Sequence, residues 1–159
     1  MRYVIAASTE RMVETCRQGL RDLSNVEFRV GSVPETGKDC DAAILSSPLA
    51  HERYGGIPRM GVAQVLANTR GDGAPGIILA TPLSPVSAVG VTAGRLEVEE
   101  HVVYVLSACL EAFLNQYSEC NNESSVLIHL EAAAIDQRDL SAPIRGIRRV
   151  LSRSAVNDE

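Results

Sequence analysis

Apolar residues follow two rhythms along the chain. Tyr3–Ala7, Ala42–Leu45, Ile77–Ala80 and Val126–Leu130 are short unbroken apolar runs, and such runs predict strands buried on both faces. Val26–Val30 alternates apolar and polar and predicts a half-exposed strand. Gln64–Asn68 predicts a further strand, joined to Ile77–Ala80 through the Gly-rich turn Arg70–Gly76. The second rhythm is helical. Met12, Val13, Cys16, Leu20 and Leu23 predict a helix over Glu10–Leu23, with Ser8 or Thr9 as its cap. Val98, Val102, Val105, Cys109 and Phe113 predict one over Glu97–Ser118. Ile144, Ile147 and Leu151 predict a last helix over Leu140–Leu151, with Pro143 in its first turn.

Strands alternating with helices place the chain in the α/β class, as a three-layer α/β/α arrangement on a mixed, mostly parallel sheet. There is no internal repeat. Residues 1–151 read as one domain and 152–159 as a polar tail. Gly31–Asp39 and the longer Ser46–Arg59, Leu83–Gly94 and Glu131–Arg138 read as loops. The last three follow strand ends at Leu45, Ala80 and Leu130, and ligands of such sheets settle at the carboxyl ends of the strands. Leu83–Gly94 is apolar and rich in small residues, which suits an active-site lid or a buried interface and is compatible with a homodimer.

Composition narrows the partners. The 159 residues carry a net charge of −5 with no stripe of Lys or Arg, which argues against nucleic acid. No apolar run approaches the roughly 20 residues of a membrane helix, and no signal peptide is visible. Cys16, Cys40, Cys109 and Cys120 form no C-x-x-C pair and read as buried, reduced thiols of a cytoplasmic protein, with no metal site and no cofactor. Lys38 is the sole lysine among the basic residues, which suggests a GC-rich, bacterial genome.

Gly55-Gly56 is the strongest local feature. Paired glycines let backbone amides converge on a phosphate with no Cβ in the way. Ser46 and Ser47 offer hydroxyls but lack the surroundings of a nucleophile. His51, Glu52 and Arg53 form a polar cluster beside the glycines. His129, among apolar neighbours, reads as a core histidine with satisfied hydrogen bonds. Glu131 and Asp136 follow a strand end and are the candidates for a general base, while Asp136 or Asp139 is suited to capping the last helix.

From Val26 to Leu151 these segments, in this order, resemble a macro domain, a three-layer α/β fold that binds ADP-ribose and related nucleotides. Val30-Gly31-Ser32-Val33 resembles that family's strand ending in Gly-Asp-Ile, and Asp41-Ala42-Ala43-Ile44 resembles its D-A-I-V strand, shifted by one residue. Tyr54-Gly55-Gly56-Ile57 resembles the Gly-Gly-Gly-Val loop against the distal ribose and diphosphate. Ala63–Leu66 through Ile77–Pro82 resembles its strand, turn and strand, and Ser125–Leu130 resembles the strand before the second phosphate loop.

The resemblance implies a ligand site at Ser32, Ser46, Ser47, Tyr54, Gly55, Gly56 and Ile57, and at Ala132, Ala133, Ala134 and Ile135 of the second loop. It implies an ADP-ribose-like small molecule as partner. Ser32 stands where the family has an acidic residue for adenine, Leu45 and Pro48 where it has asparagines, and Ala134 where it has a glycine. A binding module without the usual catalytic asparagines is therefore expected. The alternatives are an ADP-ribosyl hydrolase working through Glu131 or Asp136, and a degenerate fold kept for protein contacts or dimerisation. The family's terminal strand and helix are missing at the C-terminus, whereas a unit of that type opens the chain at Tyr3–Leu23. A circular permutation accounts for both, and it requires Tyr3–Ala7 to lie inside the main sheet.

Overall fold

The structure is a computed structural model and describes residues 1–83, 95–117 and 124–157. Among the described residues, six strands and five helices follow one another as β1 (Arg2–Ala7), α1 (Glu10–Leu20), β2 (Val26–Val30), α2 (Val33–Thr36), β3 (Ala42–Leu45), α3 (Ser47–Tyr54), β4 (Gln64–Ala67), β5 (Ile77–Ala80), α4 (Arg95–Gln116), β6 (Ser125–His129) and α5 (Ser141–Asn157). They build one sheet in the order β2-β1-β6-β3-β5-β4. Every pairing is parallel except that of β4 with β5.

The expected mixed, mostly parallel sheet is therefore present. β1 lies inside it, with Tyr3 level with Val26 on one side and Val126 on the other. Because side chains alternate across a strand, β1 serves both faces. Tyr3, Ile5 and Ala7 join the larger core under α1, α4 and α5. Val4 and Ala6 join a smaller core with Ala43, Leu45, Ala50 and Leu127, against which Val33, Leu49 and Tyr54 of α2 and α3 pack. The helices thus cover the sheet from both sides.

Beyond shifts of two or three residues at the ends of elements, the structure differs from the reading of the sequence in three places. Gly31–Asp39 is not all loop. Ser32 caps α2 through a reciprocal capping box with Glu35, and a proline occupies the first turn, a Ser-x-x-Glu signature that is present in the sequence. Ser46–Arg59 likewise contains α3, a helix with only Ser47 and Ala50 buried; so weak an apolar stripe leaves little periodicity to detect. The last helix continues through Asn157, past the expected end at Leu151. Residues 84–94, most of the expected Leu83–Gly94 loop, and Cys120 lie outside the described residues. Cys16, Cys40 and Cys109 are buried and free.

Glycines set how closely the helices approach. A Cβ at Gly146 of α5 would lie 2.8 Å from the Val102 side chain of α4 and 3.0 Å from the Glu99 carbonyl. A Cβ at Gly19 of α1 would lie 2.7 Å from Ile144 Cγ2. Ion pairs flank the α4–α5 crossing, with Arg145 Nε 2.8 Å from Glu99 and Arg149 Nη1 2.7 Å from Glu100. At the β2 margin of the sheet, Arg29 pairs with Glu27 at 2.8 Å and with Asp39 at 2.5 Å, and Arg2 pairs with Glu27 at 3.1 Å.

The α4–α5 contact yields a test. Gly146→Ala adds a better helix former, by about 1 kcal/mol, but forces a methyl into Val102 and the Glu99 backbone. We expect a net loss of ~1–3 kcal/mol of unfolding free energy, measured by urea denaturation, with an unchanged m-value.

Candidate functional site

The five parallel strands end at one edge of the sheet, and their connections part there towards opposite faces. β2 and β3 lead into α2 and α3 over the smaller core. β1 leads into α1 and β6 into α5 over the larger one. Where neighbouring strands send their chains to opposite faces, a crevice opens at the strand ends. The reversals here fall between β2 and β1 and between β6 and β3, which places the expected crevice over β1 and β6, with Gly31–Ser32 and Ser46–Ser47 on one side and Ser8 and Glu131–Ile135 on the other.

Hydrogen bonds tie the floor of this crevice. Ala132 N–H donates to His129 Nδ1 at 3.2 Å, so Nδ1 carries no proton. His129 Nε2–H therefore donates to the Gly31 carbonyl at 2.8 Å. One buried neutral imidazole thus joins β6, its following loop and the start of α2. Ser46 N–H reaches the Ala132 carbonyl at 2.7 Å, a second tie across the crevice. Glu131 accepts from both the backbone N–H and the hydroxyl of Ser8, each at 2.6 Å. The Ser8 hydroxyl, then the Ser8 amide, holds the Glu131 carboxyl below the usual glutamate range. Glu131 is thus a latch between β1 and β6, and its lowered basicity opposes the role of a general base. Asp136 is exposed, and Asp139 accepts from Ser141 N–H at 3.0 Å at the start of α5.

The two glycine-family loops differ in what they can offer an anion. In the second loop every amide is already used. Ala132 N–H goes to His129 Nδ1, Ala133 N–H to the His129 carbonyl at 2.9 Å, Ala134 N–H to Glu131 at 3.1 Å and Ile135 N–H to Leu130 at 3.0 Å. Ala133 and Ile135 are also buried. These four residues shape the crevice wall, and their amides are not free for phosphate. Ala134 is the sole described non-glycine residue with positive φ, at +56°. A left-handed backbone conformation explains why a glycine suits this position.

At the first loop, Gly55 and Gly56 have φ of +87° and +79° and are exposed. Gly55 N–H closes α3 on the His51 carbonyl at 3.2 Å. His51 Nδ1–H in turn donates to the Gly55 carbonyl at 2.8 Å, and the Gln64 carboxamide donates to the Ile57 carbonyl. The peptide between Gly55 and Gly56 is trans, so its N–H points opposite to its carbonyl. With the carbonyl drawn to His51, Gly56 N–H points away from the His51 ring, and it has no hydrogen-bond partner among the described residues. A Cβ at Gly56 would stand 2.9 Å from His51 Nδ1 and 3.1 Å from Gln64 Oε1, so glycine is required by space as well as by φ. His51, expected beside the glycines as part of a polar cluster, is the residue that holds the Gly55 carbonyl, whereas Gln64, which the sequence reading did not single out, meets the loop only through the fold.

The remaining candidates are structural neighbours of that turn. Tyr54 Oη donates to Asp72 Oδ2 at 2.7 Å, and burial, then the Asp72 bond, raises the Tyr54 pKa. Asp72 also accepts from Asn68 at 2.9 Å and from Ala74 N–H at 3.1 Å. Ser47 is buried, its N–H bonded to Thr81 Oγ1 at 3.0 Å and its hydroxyl without a partner. Ser46 occupies the cap position of α3 with no side-chain capping bond. Ser32 accepts from Glu35 N–H at 3.3 Å and donates its hydroxyl to Glu35 Oε1 at 2.8 Å, which brings a carboxylate to the end of β2. Among the described residues no group of three or more His, Cys, Asp or Glu could hold a metal ion, and no helix is long and apolar enough to cross a membrane. Neither a family model, nor a curated protein, nor a solved structure matches the chain.

Two measurements follow from this geometry. Ala134→Gly relieves a left-handed alanine, and we expect thermal and chemical unfolding to show a gain of about 1 kcal/mol. Asp72 is held down to about 2 by the Tyr54 hydroxyl first and the Asn68 amide second, against about 3.9 in an unfolded chain. Its folded pKa is the lower one, so its stabilisation is complete above pH ~4 and fades as pH falls towards ~2. The stability difference between the wild type and Asp72→Asn should shrink over that window in acid-titrated melts.

Proposed function

We propose that this chain is a macro-like module that binds an ADP-ribose-type nucleotide without hydrolysing it. The observation that carries the reading is the exposed Gly55-Gly56 turn after α3, whose Gly55 carbonyl is held by His51 and whose Ile57 carbonyl is held by Gln64, so that the Gly56 amide is left without a partner among the described residues. An amide fixed in this way is organised for an anion before the anion arrives, so binding has less ordering entropy to overcome. Two further observations support it. β1 is bonded on both sides within the sheet, as a relocated terminal strand–helix unit requires. Glu35 brings to Ser32 the acidic group that the macro-like pattern would otherwise lack there, and one of its carboxylate oxygens is bonded to Ser32.

The grip is single. The Gly55-Gly56 turn takes a phosphate, while the Ala132–Ile135 loop acts as a wall. Non-hydrolytic binding follows from Leu45 and Pro48 at the positions of the family's asparagines and from Glu131 being committed to Ser8.

Isothermal titration with ADP-ribose and with NAD tests the proposal. We expect saturable binding with Kd on the order of 1–100 μM, abolished in Gly56→Glu with the circular dichroism spectrum retained. Glu35→Gln should weaken ADP-ribose while leaving ribose 5-phosphate unaffected. Absence of heat at millimolar ligand overturns the reading, and release of ADP-ribose from a modified protein by the wild type, lost in Glu131→Gln, replaces it with the hydrolase.

A further inference from the structure

A second surface lies along α4. An open groove of about 430 Å³ is lined by Gly61, Val103, Tyr104, Ala108, Glu111 and Arg153. A Cβ at Gly61 would come within 3.4 Å of the Tyr104 hydroxyl, so the loop before β4 rests against α4 there. Its neighbours in sequence, Met60 and Val62, are 63% and 49% exposed, and Tyr104 is 40% exposed. Along α4, Tyr104, Ser107, Glu111 and Leu114 recur at spacings of three and four and so share one stripe; Leu114 is also exposed. Tyr104 lines the groove itself, Met60 and Val62 flank the lining Gly61 in the chain, and Leu114 follows Glu111 along α4; exposed apolar residues this close along two adjoining segments suit a surface that is covered.

The charges indicate what covers it. Glu100 is paired with Arg149 at 2.7 Å. Glu111 and Arg153 line the same groove, and neither has an ion-pair partner among the described residues. A partner of a single charge, such as a nucleic acid, would satisfy one of these groups and repel the other. A second copy of the same face satisfies both. In a twofold contact each residue meets its counterpart across the axis reciprocally, so Glu111 can face the partner's Arg153 twice, on either side of an apolar centre built from Met60, Val62 and Tyr104.

We propose that this face is the interface of a twofold-symmetric homodimer, with Glu111 and Arg153 as reciprocal ion pairs. This inference is independent of nucleotide binding at the crevice. The small residues Ser107 and Ala108 beneath Tyr104 allow a partner side chain to enter the groove, so the contact interlocks instead of lying flat.

Sedimentation velocity across a concentration series up to the order of 100 μM provides the test. We expect a species at twice the 17.0 kDa chain mass. Glu111→Arg and Arg153→Glu, each placing like charges in contact, should raise the dimer dissociation constant at least about tenfold. The double variant Glu111→Arg/Arg153→Glu should return it towards the wild-type value, a rescue that general damage to the surface would not produce. Met60→Asp should give a monomer with the wild-type circular dichroism spectrum and a melting temperature that no longer rises with protein concentration. A wild type that stays monomeric over the series overturns the proposal, as does a dimer indifferent to both single reversals.

Discussion

The structure depends on its four inner strands, β1, β6, β3 and β5, each bonded on both sides and almost wholly buried. Backbone polar groups in such positions have no water to turn to, so they must be paired within the sheet. Side chains there must be apolar whichever face they take. Parallel pairing then gathers the connections that leave these strands at a single edge. The crevice is a consequence of that geometry: once β3 sends its chain over one face and β1 and β6 send theirs over the other, a gap opens between the two rows of connections.

How much of this was legible in the sequence follows from which residues share these constraints. Tyr3–Ala7, Ala42–Leu45 and Val126–Leu130 announced themselves as unbroken apolar runs because both faces are buried. The alternation of Val26–Val30 marked a margin of the sheet for the opposite reason. α3 escaped notice because it rests on the sheet through Ala50 and little else, so its exposed turns carry no period. α2 was visible in principle, since Ser32 and Glu35 spell a capping box, but a helix of one turn has no apolar repeat to reinforce it. The glycine turn was legible as a turn. The residues that orient it were not, because Gln64 reaches Ile57 only after β4 has been laid against β5.

At the crevice the decisive quantity is how many amides remain free. A loop that resembles a phosphate cradle in sequence can spend its donors internally, and Ala132–Ile135 does so, with His129 taking one of them. A loop with fewer glycines can still present a donor if the carbonyl of the same peptide is held, as that of Gly55 is by His51. Backbone donors, unlike asparagine side chains, do not depend on residue identity, so an anion grip can persist after catalytic groups have gone.

The outer margins of the sheet have a consequence for the chain in crowded solution. An open strand edge invites a foreign strand, which is how soluble proteins begin to form fibrils. β4 is only four residues long, too short to template an extended ladder. β2 is longer, but Glu27 and Arg29 project from it into the pairs with Arg2 and Asp39. An incoming strand would have to accommodate those charges along the whole margin. The charged fringe on β2 therefore serves as a guard against self-templated polymerisation, a duty separate from any small molecule the protein holds.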